Sequence, residues 1–214
     1  MANINQKPSK FMYNLLHVLP PFVNGDAGKD TGKSKAENEN EKKGIINVMV
    51  EVSAGSINKY EIITESGQLK LDRVGYSSLA YPFTYGAIPL TWDLDGDPLD
   101  VEIVNITEPL VPGSLVEARV IGVMKFVDGG EIDDKIIAVM NDDKRADHIK
   151  TFEDLGEYWM KETRYYWENY KALKKPGTGV VETFHGPEEA IKVIAECAER
   201  YQKEYAVKFD AERE

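Results

Sequence analysis

A chain of 214 residues with 42% hydrophobic and 29% charged side chains has ordinary globular composition, which excludes a largely disordered or membrane-embedded protein. The formal net charge of -11 disfavours nucleic acid and anionic membrane surfaces, which are bound through clustered Lys and Arg; a small anionic substrate is compatible only where cations converge. A single cysteine, Cys197, excludes an intrachain disulfide and fits a reducing, cytoplasmic setting.

Phe11 to Val23 is mildly apolar but contains Asn14 and His17 and is broken by Pro20-Pro21, so neither a signal peptide nor a membrane span is expected. Residues 24–44 carry only Ala27 and Ala36 as apolar side chains and cannot bury enough surface to offset their ordering entropy. They read as a flexible linker. The chain therefore divides into an N-terminal extension, residues 1–44, whose first part docks on the body, and a folded domain, residues 45–214.

From Ile46 the pattern has period two: Ile46, Val48, Val50 and Val52 alternate with Asn47, Met49, Glu51 and Ser53. A half-buried strand follows from this, with Glu51 on the face opposite the valines, ending at Gly55. Lys59 to Thr64, a Glu65-Ser66-Gly67 turn and Leu69 to Val74 read as a hairpin, in which Lys59 and Glu61 share a face. Further strands are expected at Leu99 to Asn105, Leu115 to Phe126 and Lys135 to Met140.

The last third switches to helical spacing. Thr151-x-x-Asp154 resembles a capping box, and Phe152, Leu155, Trp159, Tyr166, Tyr170 and Leu173 recur along one stripe that reads mainly as core. A final helix starts near Pro187 and carries Ile191, Ile194, Ala198, Tyr201 and Tyr205 on one side. Several short strands followed by helices indicate an α+β domain built around a small barrel.

Chemistry concentrates in Asp93-Leu94-Asp95-Gly96-Asp97-Pro98-Leu99-Asp100, where four carboxylates fall within eight residues. Carboxylates so close repel unless a cation lies between them, and Mg²⁺ suits oxygen ligands that share it with water and phosphate. A surface turn has the same composition, but Val101, Ile103 and Val104 make Asp100 the start of a strand. An EF-hand beginning at Asp93 fails, because its sixth position is Pro98 and its twelfth is Val104. A second acidic group, Asp128 and Asp133 with Lys135, reads alone as a charged hairpin tip and beside the first as another coordination wall. Lys59, Arg73 and Lys135 recur on strands, where their heads can be held toward one ligand. Tyr81 and Tyr85 just before the aspartate loop are, by composition alone, packing residues.

The Asp95 to Val101 run, D-G-D-P-L-D-V, resembles the signature of the soluble family I inorganic pyrophosphatases. Lys59-Tyr60-Glu61, Leu71-Asp72-Arg73, Tyr81-Pro82, Tyr85-Gly86, Asp128, Asp133, Lys135, Asp147-His148-Ile149 and Tyr170-Lys171 follow in the family's order at similar spacings. The resemblance runs from about Ile45 to the C-terminal helix. It implies a five-stranded OB-like β-barrel flanked by helices, and Mg²⁺-dependent hydrolysis of inorganic pyrophosphate to two orthophosphates.

Residue by residue, it implies that Asp95, Asp100 and Asp133 hold a first metal and that Asp100 also holds a second. Asp128 with Asp133 would bind a metal arriving with substrate, and Glu61 a further one. Asp97 would be the general base toward a water between the first two metals. Lys59, Arg73, Tyr85, Lys135, Tyr170 and Lys171 would contact phosphate oxygens, with Glu51 and Tyr81 in support. It further implies a homo-oligomer, for which the chain length favours a hexamer over a dimer. Thr84 stands where the family usually has asparagine, and Gly129 where it often has an acid.

Two other readings compete. One is a non-catalytic OB-type module whose acidic loops hold structural calcium. The other is a phosphohydrolase of nucleotides or polyphosphate, disfavoured because no G-x-x-x-x-G-K cradle is present.

Overall fold

The computed structural model describes residues 14–23 and 44–205. The polar stretch expected to be a linker lies outside the described residues apart from Gly44. Nine strands are described: β1 (Ile45–Val52), β2 (Asn58–Ile62), β3 (Leu69–Val74), β4 (Thr84–Ala87), β5 (Asp100–Ile103), β6 (Leu115–Asp128), β7 (Glu131–Ile132), β8 (Lys135–Met140) and β9 (Gly179–His185). Two α-helices, α1 (Glu157–Asn169) and α2 (Pro187–Arg200), flank them.

The order β1-β4-β5-β8-β6, closed by pairing of β6 with β1, makes a five-stranded ring, the OB-like barrel that the family resemblance implied. β6 is long enough to pair with β1 and β8 and also to carry β7 and β9. β2 and β3 form a separate hairpin. Gly86 in β4 permits the barrel wall to close, because a Cβ there would sit 2.2 Å from the Met49 carbonyl oxygen of β1.

β5 and β8 are the one parallel pair of the ring, with Asp100 beside Lys135 at their shared beginning. Two short strands thereby deliver a carboxylate and an ammonium to the same end of the barrel. One core cluster joins Ile46, Val48, Val101, Ile103 and Ile136 to Ala190, Val193 and Ile194 of α2. A second is aromatic, with Tyr81, Phe83, Tyr85, Phe126, Tyr166 and Trp167 in mutual contact. Each such ring pair contributes about 0.5–1.5 kcal/mol beyond its area burial. Residues 14–23 lie on this body, with Leu16 and Phe22 buried and Phe22 bridged to Ile46.

Three sequence expectations are corrected. β1 alternates as expected but is not half-buried: Asn47, Met49 and Glu51 are buried as well as the valines. The hairpin covers that second face, and the Ile62 amide donates to Glu51 Oε1 at 2.7 Å. The helical third is not one run. Thr151 and Asp154 do form a capping box, but on a short 3-10 turn, Phe152–Leu155, and Gly156 at φ 86° separates it from α1. Leu173, placed in the apolar stripe by spacing, lies beyond the end of α1 and is exposed. β4 and β9 were not anticipated.

Candidate active site

All fourteen side chains singled out from the sequence line one cavity of about 520 Å³ at the barrel end where β5 and β8 begin. The acidic loop supplies Asp95 and Asp97, and β5 supplies Asp100. Its turn is shaped by Gly96 at φ 90° and by the Asp93 amide donating to the Asp97 carbonyl at 2.7 Å. The Asp97 amide donates to Asp95 Oδ1 at 3.1 Å, fixing that carboxylate. The opposite wall comes from the hairpin, where β2–β3 pairing sets Lys59 beside Arg73. β6 and the segment before β8 contribute Asp128 and Asp133, and the turn after α1 brings Tyr170 and Lys171.

Lys135 is the electrostatic centre. It is 1% exposed, and its Nζ donates to Asp100 Oδ2 at 2.5 Å and to Asp133 Oδ1. The ammonium lies 5.2 Å from the Trp167 ring centroid and 5.6 Å from that of Tyr85. Burial alone would lower its pKa, but Asp100 and Asp133 outweigh burial and hold it well above the usual lysine range. Tyr85 donates its hydroxyl to Asp100 Oδ2.

Along the rim, Lys59 pairs with Glu61 at 2.6 Å and Lys171 pairs with Asp128, to which Tyr170 also donates at 2.9 Å. Tyr81 is buried and packs on Tyr85, Tyr166 and Phe83.

Burial, then the charges of Asp133 and Asp100, push Asp95 up to about 7. Asp97 is raised by burial and by Asp100 and Glu61, and Glu51 is pushed to about 8 by burial and Asp100. A cavity holding this many carboxylates stabilises cations. One oxygen from each of Asp93, Asp95 and Asp133 lies within 4.8 Å of the other two, a donor set suited to a hard divalent ion.

Sequence reasoning missed Lys70, Tyr76, Lys174 and Lys175, which also line the cavity. Lys174 donates to the Tyr76 hydroxyl at 2.7 Å across 98 residues of sequence. Trp167 was absent from the sequence-derived set, and it donates its indole N–H to buried Glu102 at 2.5 Å. Asp93 was counted among the four acids but given no role. His148, by contrast, is exposed and is not among the cavity-lining residues.

Residues 48–202 match the family model described as inorganic pyrophosphatase. An inorganic pyrophosphatase of Neisseria meningitidis serogroup B is 48% identical over 162 residues, covering 75% of this chain and 91% of that protein. One from Geobacillus stearothermophilus is 43% identical over 160 residues, covering 75% and 96%. Among solved structures, an inorganic pyrophosphatase from Neisseria gonorrhoeae superposes with a TM-score of 0.73 at 47% identity, covering 76% of this chain and 94% of its own. That from Thermus thermophilus gives 0.74 at 37%, covering 88% and 99%.

Proposed function

The chain belongs to the inorganic pyrophosphatase family and hydrolyses inorganic pyrophosphate, and from that premise we propose how its own residues divide the work. The supporting observation is the convergence of fourteen side chains on one cavity, with carboxylates toward the barrel and cations on the hairpin and at the turn after α1. This arrangement does not favour the structural-calcium module, which has no use for a wall of Lys59, Arg73 and Lys171.

In this reading Lys59, Arg73, Lys135 and Lys171 bind the phosphate oxygens as charged donors. Tyr85 and Tyr170 add hydroxyl donors without adding charge. Asp97, at the loop tip and raised in pKa by partial burial and by Asp100 and Glu61, orients the attacking water and takes its proton. Glu51 holds the hairpin through the Ile62 amide, and Tyr81 backs Tyr85.

Asp95, Asp100 and Asp133 would hold the inner divalent cations, with Asp128 and Glu61 on the outer positions. Oxygen-only donors suit a hard divalent cation, and in this reading Mg²⁺ is the working ion. When bound, such ions supply positive charge to the phosphate oxygens and acidity to the water. A reducing cytoplasm and a homo-oligomer, a hexamer before a dimer, complete the proposal.

Replacing Asp97 by Asn tests the assignment. Turnover falls by about 10²–10⁴-fold, while calorimetric Mg²⁺ affinity stays within a factor of a few. Near-normal turnover in the variant removes Asp97 from the base role.

A further inference from the structure

We propose that Asp93 is an additional carboxylate ligand of the inner cation position, aimed there by the last helix. The inference rests on the metal roles given above to Asp95 and Asp133. It adds a residue outside the set that the sequence motif assigned.

Asp93 is 6% exposed, and its two oxygens have different fates. Oδ1 faces α2, where Arg200 Nη1 and the Cys197 thiol each approach to 3.5 Å. Oδ2 is sealed from solvent and has no hydrogen-bond partner. A carboxylate that served only to anchor α2 would need one oxygen and would leave the other in water or paired, because a buried unpaired acceptor is costly. The Asp93 carboxylate instead contributes to the group in which oxygens of Asp93, Asp95 and Asp133 lie within 4.8 Å of one another.

Local cations do not account for this group. Lys135 is committed to Asp100 and Asp133, and Lys125 to Asp134 at 2.6 Å. Arg200 touches Asp93 from the helix side, and its guanidinium also donates to the Trp92 carbonyl at 2.6 Å. A divalent ion among the three carboxylates relieves their mutual repulsion and gives the Asp93 carboxylate a charged partner on the loop side. The backbone supports that aim: the Asp93 amide donates to the Asp97 carbonyl and the Asp93 carbonyl accepts from the Gly96 amide at 3.3 Å, so the side chain leaves a closed turn in a fixed direction. Through Arg200 and Cys197, the C-terminal helix orients a ligand of the metal loop.

The test is titration calorimetry with Mn²⁺ on the metal-stripped full-length protein and its Asp93→Asn variant, with melting measured in chelator. The proposal expects affinity to drop by about tenfold or more in a variant whose cooperative melt in chelator shows that it is folded. Unchanged Mn²⁺ affinity in a folded variant overturns this proposal alone. Failure of the wild type to bind Mn²⁺ overturns the metal assignment of the whole site with it.

Should the variant not fold, anomalous scattering from wild-type crystals grown with Mn²⁺ decides. An Asp93 oxygen at coordination distance, about 2.2 Å, is expected. An ion on Asp95 and Asp133 with Asp93 beyond about 3.5 Å contradicts the proposal.

Discussion

Replacing Lys135 by Met keeps most of the side-chain volume and removes the one charge that holds Asp100 and Asp133 together. Loss of one member of a buried ion pair costs about 3–5 kcal/mol because the other is left uncompensated. The Asp100 and Asp133 side chains keep 20% and 16% exposure, so solvent reaches them in part. The lower end, about 3 kcal/mol, is the expected loss at pH 7 in chelator. For a chain of this size that lowers Tm by about 6–12 °C.

Conditions should move the deficit in two ways. Lys135 has a raised folded pKa, so its own contribution is complete below the unfolded lysine value and is lost only as pH climbs through the higher folded one. Between pH 5 and 8 the wild-type ammonium therefore stays charged. In the variant, lower pH protonates the stranded Asp133, whose carboxyl burial already pushes up, and shrinks the deficit. Millimolar Mg²⁺ shrinks it too, by supplying the missing positive charge. Thermal and urea unfolding of both proteins, in chelator and in Mg²⁺, read these effects. A deficit below about 1 kcal/mol, or one equal in chelator and Mg²⁺, would refute the electrostatic role given to Lys135.

Glu102 is fully buried, accepts the Trp167 indole N–H, and is pushed by burial up to about 8. Its folded pKa exceeds its unfolded one, so its contribution is present below the unfolded value and is lost as pH rises toward 8. Glu102→Gln, which retains an acceptor for Trp167, should gain on the chelated wild type across that window with a slope approaching about 1.4 kcal/mol per pH unit; parallel stability curves would show that Glu102 does not titrate there. Because Asp95 is raised to about 7, metal binding at pH 7 should release about half a proton from it. Calorimetry in buffers of different ionisation enthalpy measures this, and a buffer-independent enthalpy contradicts it.

The parts legible in sequence were those carried by short-range pattern. The alternation from Ile46, the Glu65-Ser66-Gly67 turn and the apolar run after Asp100 each specify a local strand, and the acidic loop announces itself by charge density. The motif resemblance then named distant residues that line one cavity, although Lys59, Asp100, Asp128 and Tyr170 lie on different elements and no periodicity relates them. β4 was lost because four residues, Thr84–Ala87, give too short a window to establish alternation, and its aromatic neighbours read as packing.

β9 was lost to a helical reading of the chain's last third. Its pairing with β6 is set by residues more than 50 positions away, such as Val127 against Val180 and Asp128 against Gly179. The break at Gly156 illustrates a general difficulty: Phe152, Leu155 and Trp159 keep helical spacing across a backbone that leaves the helix between them. Asp93 and Glu102 carry no signal of their environment in sequence. Their partners are Arg200 and Trp167, and only the folded barrel brings these within reach.

The most direct test of the account is orthophosphate release by the purified wild-type protein from pyrophosphate, with Mg²⁺ and then with chelator, beside ATP and a phosphate monoester. The account predicts rapid release from pyrophosphate with Mg²⁺, its loss on chelation, and little from the other two. Release that is insensitive to chelation, or absent with every divalent ion tried, would contradict a metal-dependent phosphoanhydride site at the head of β5 and β8.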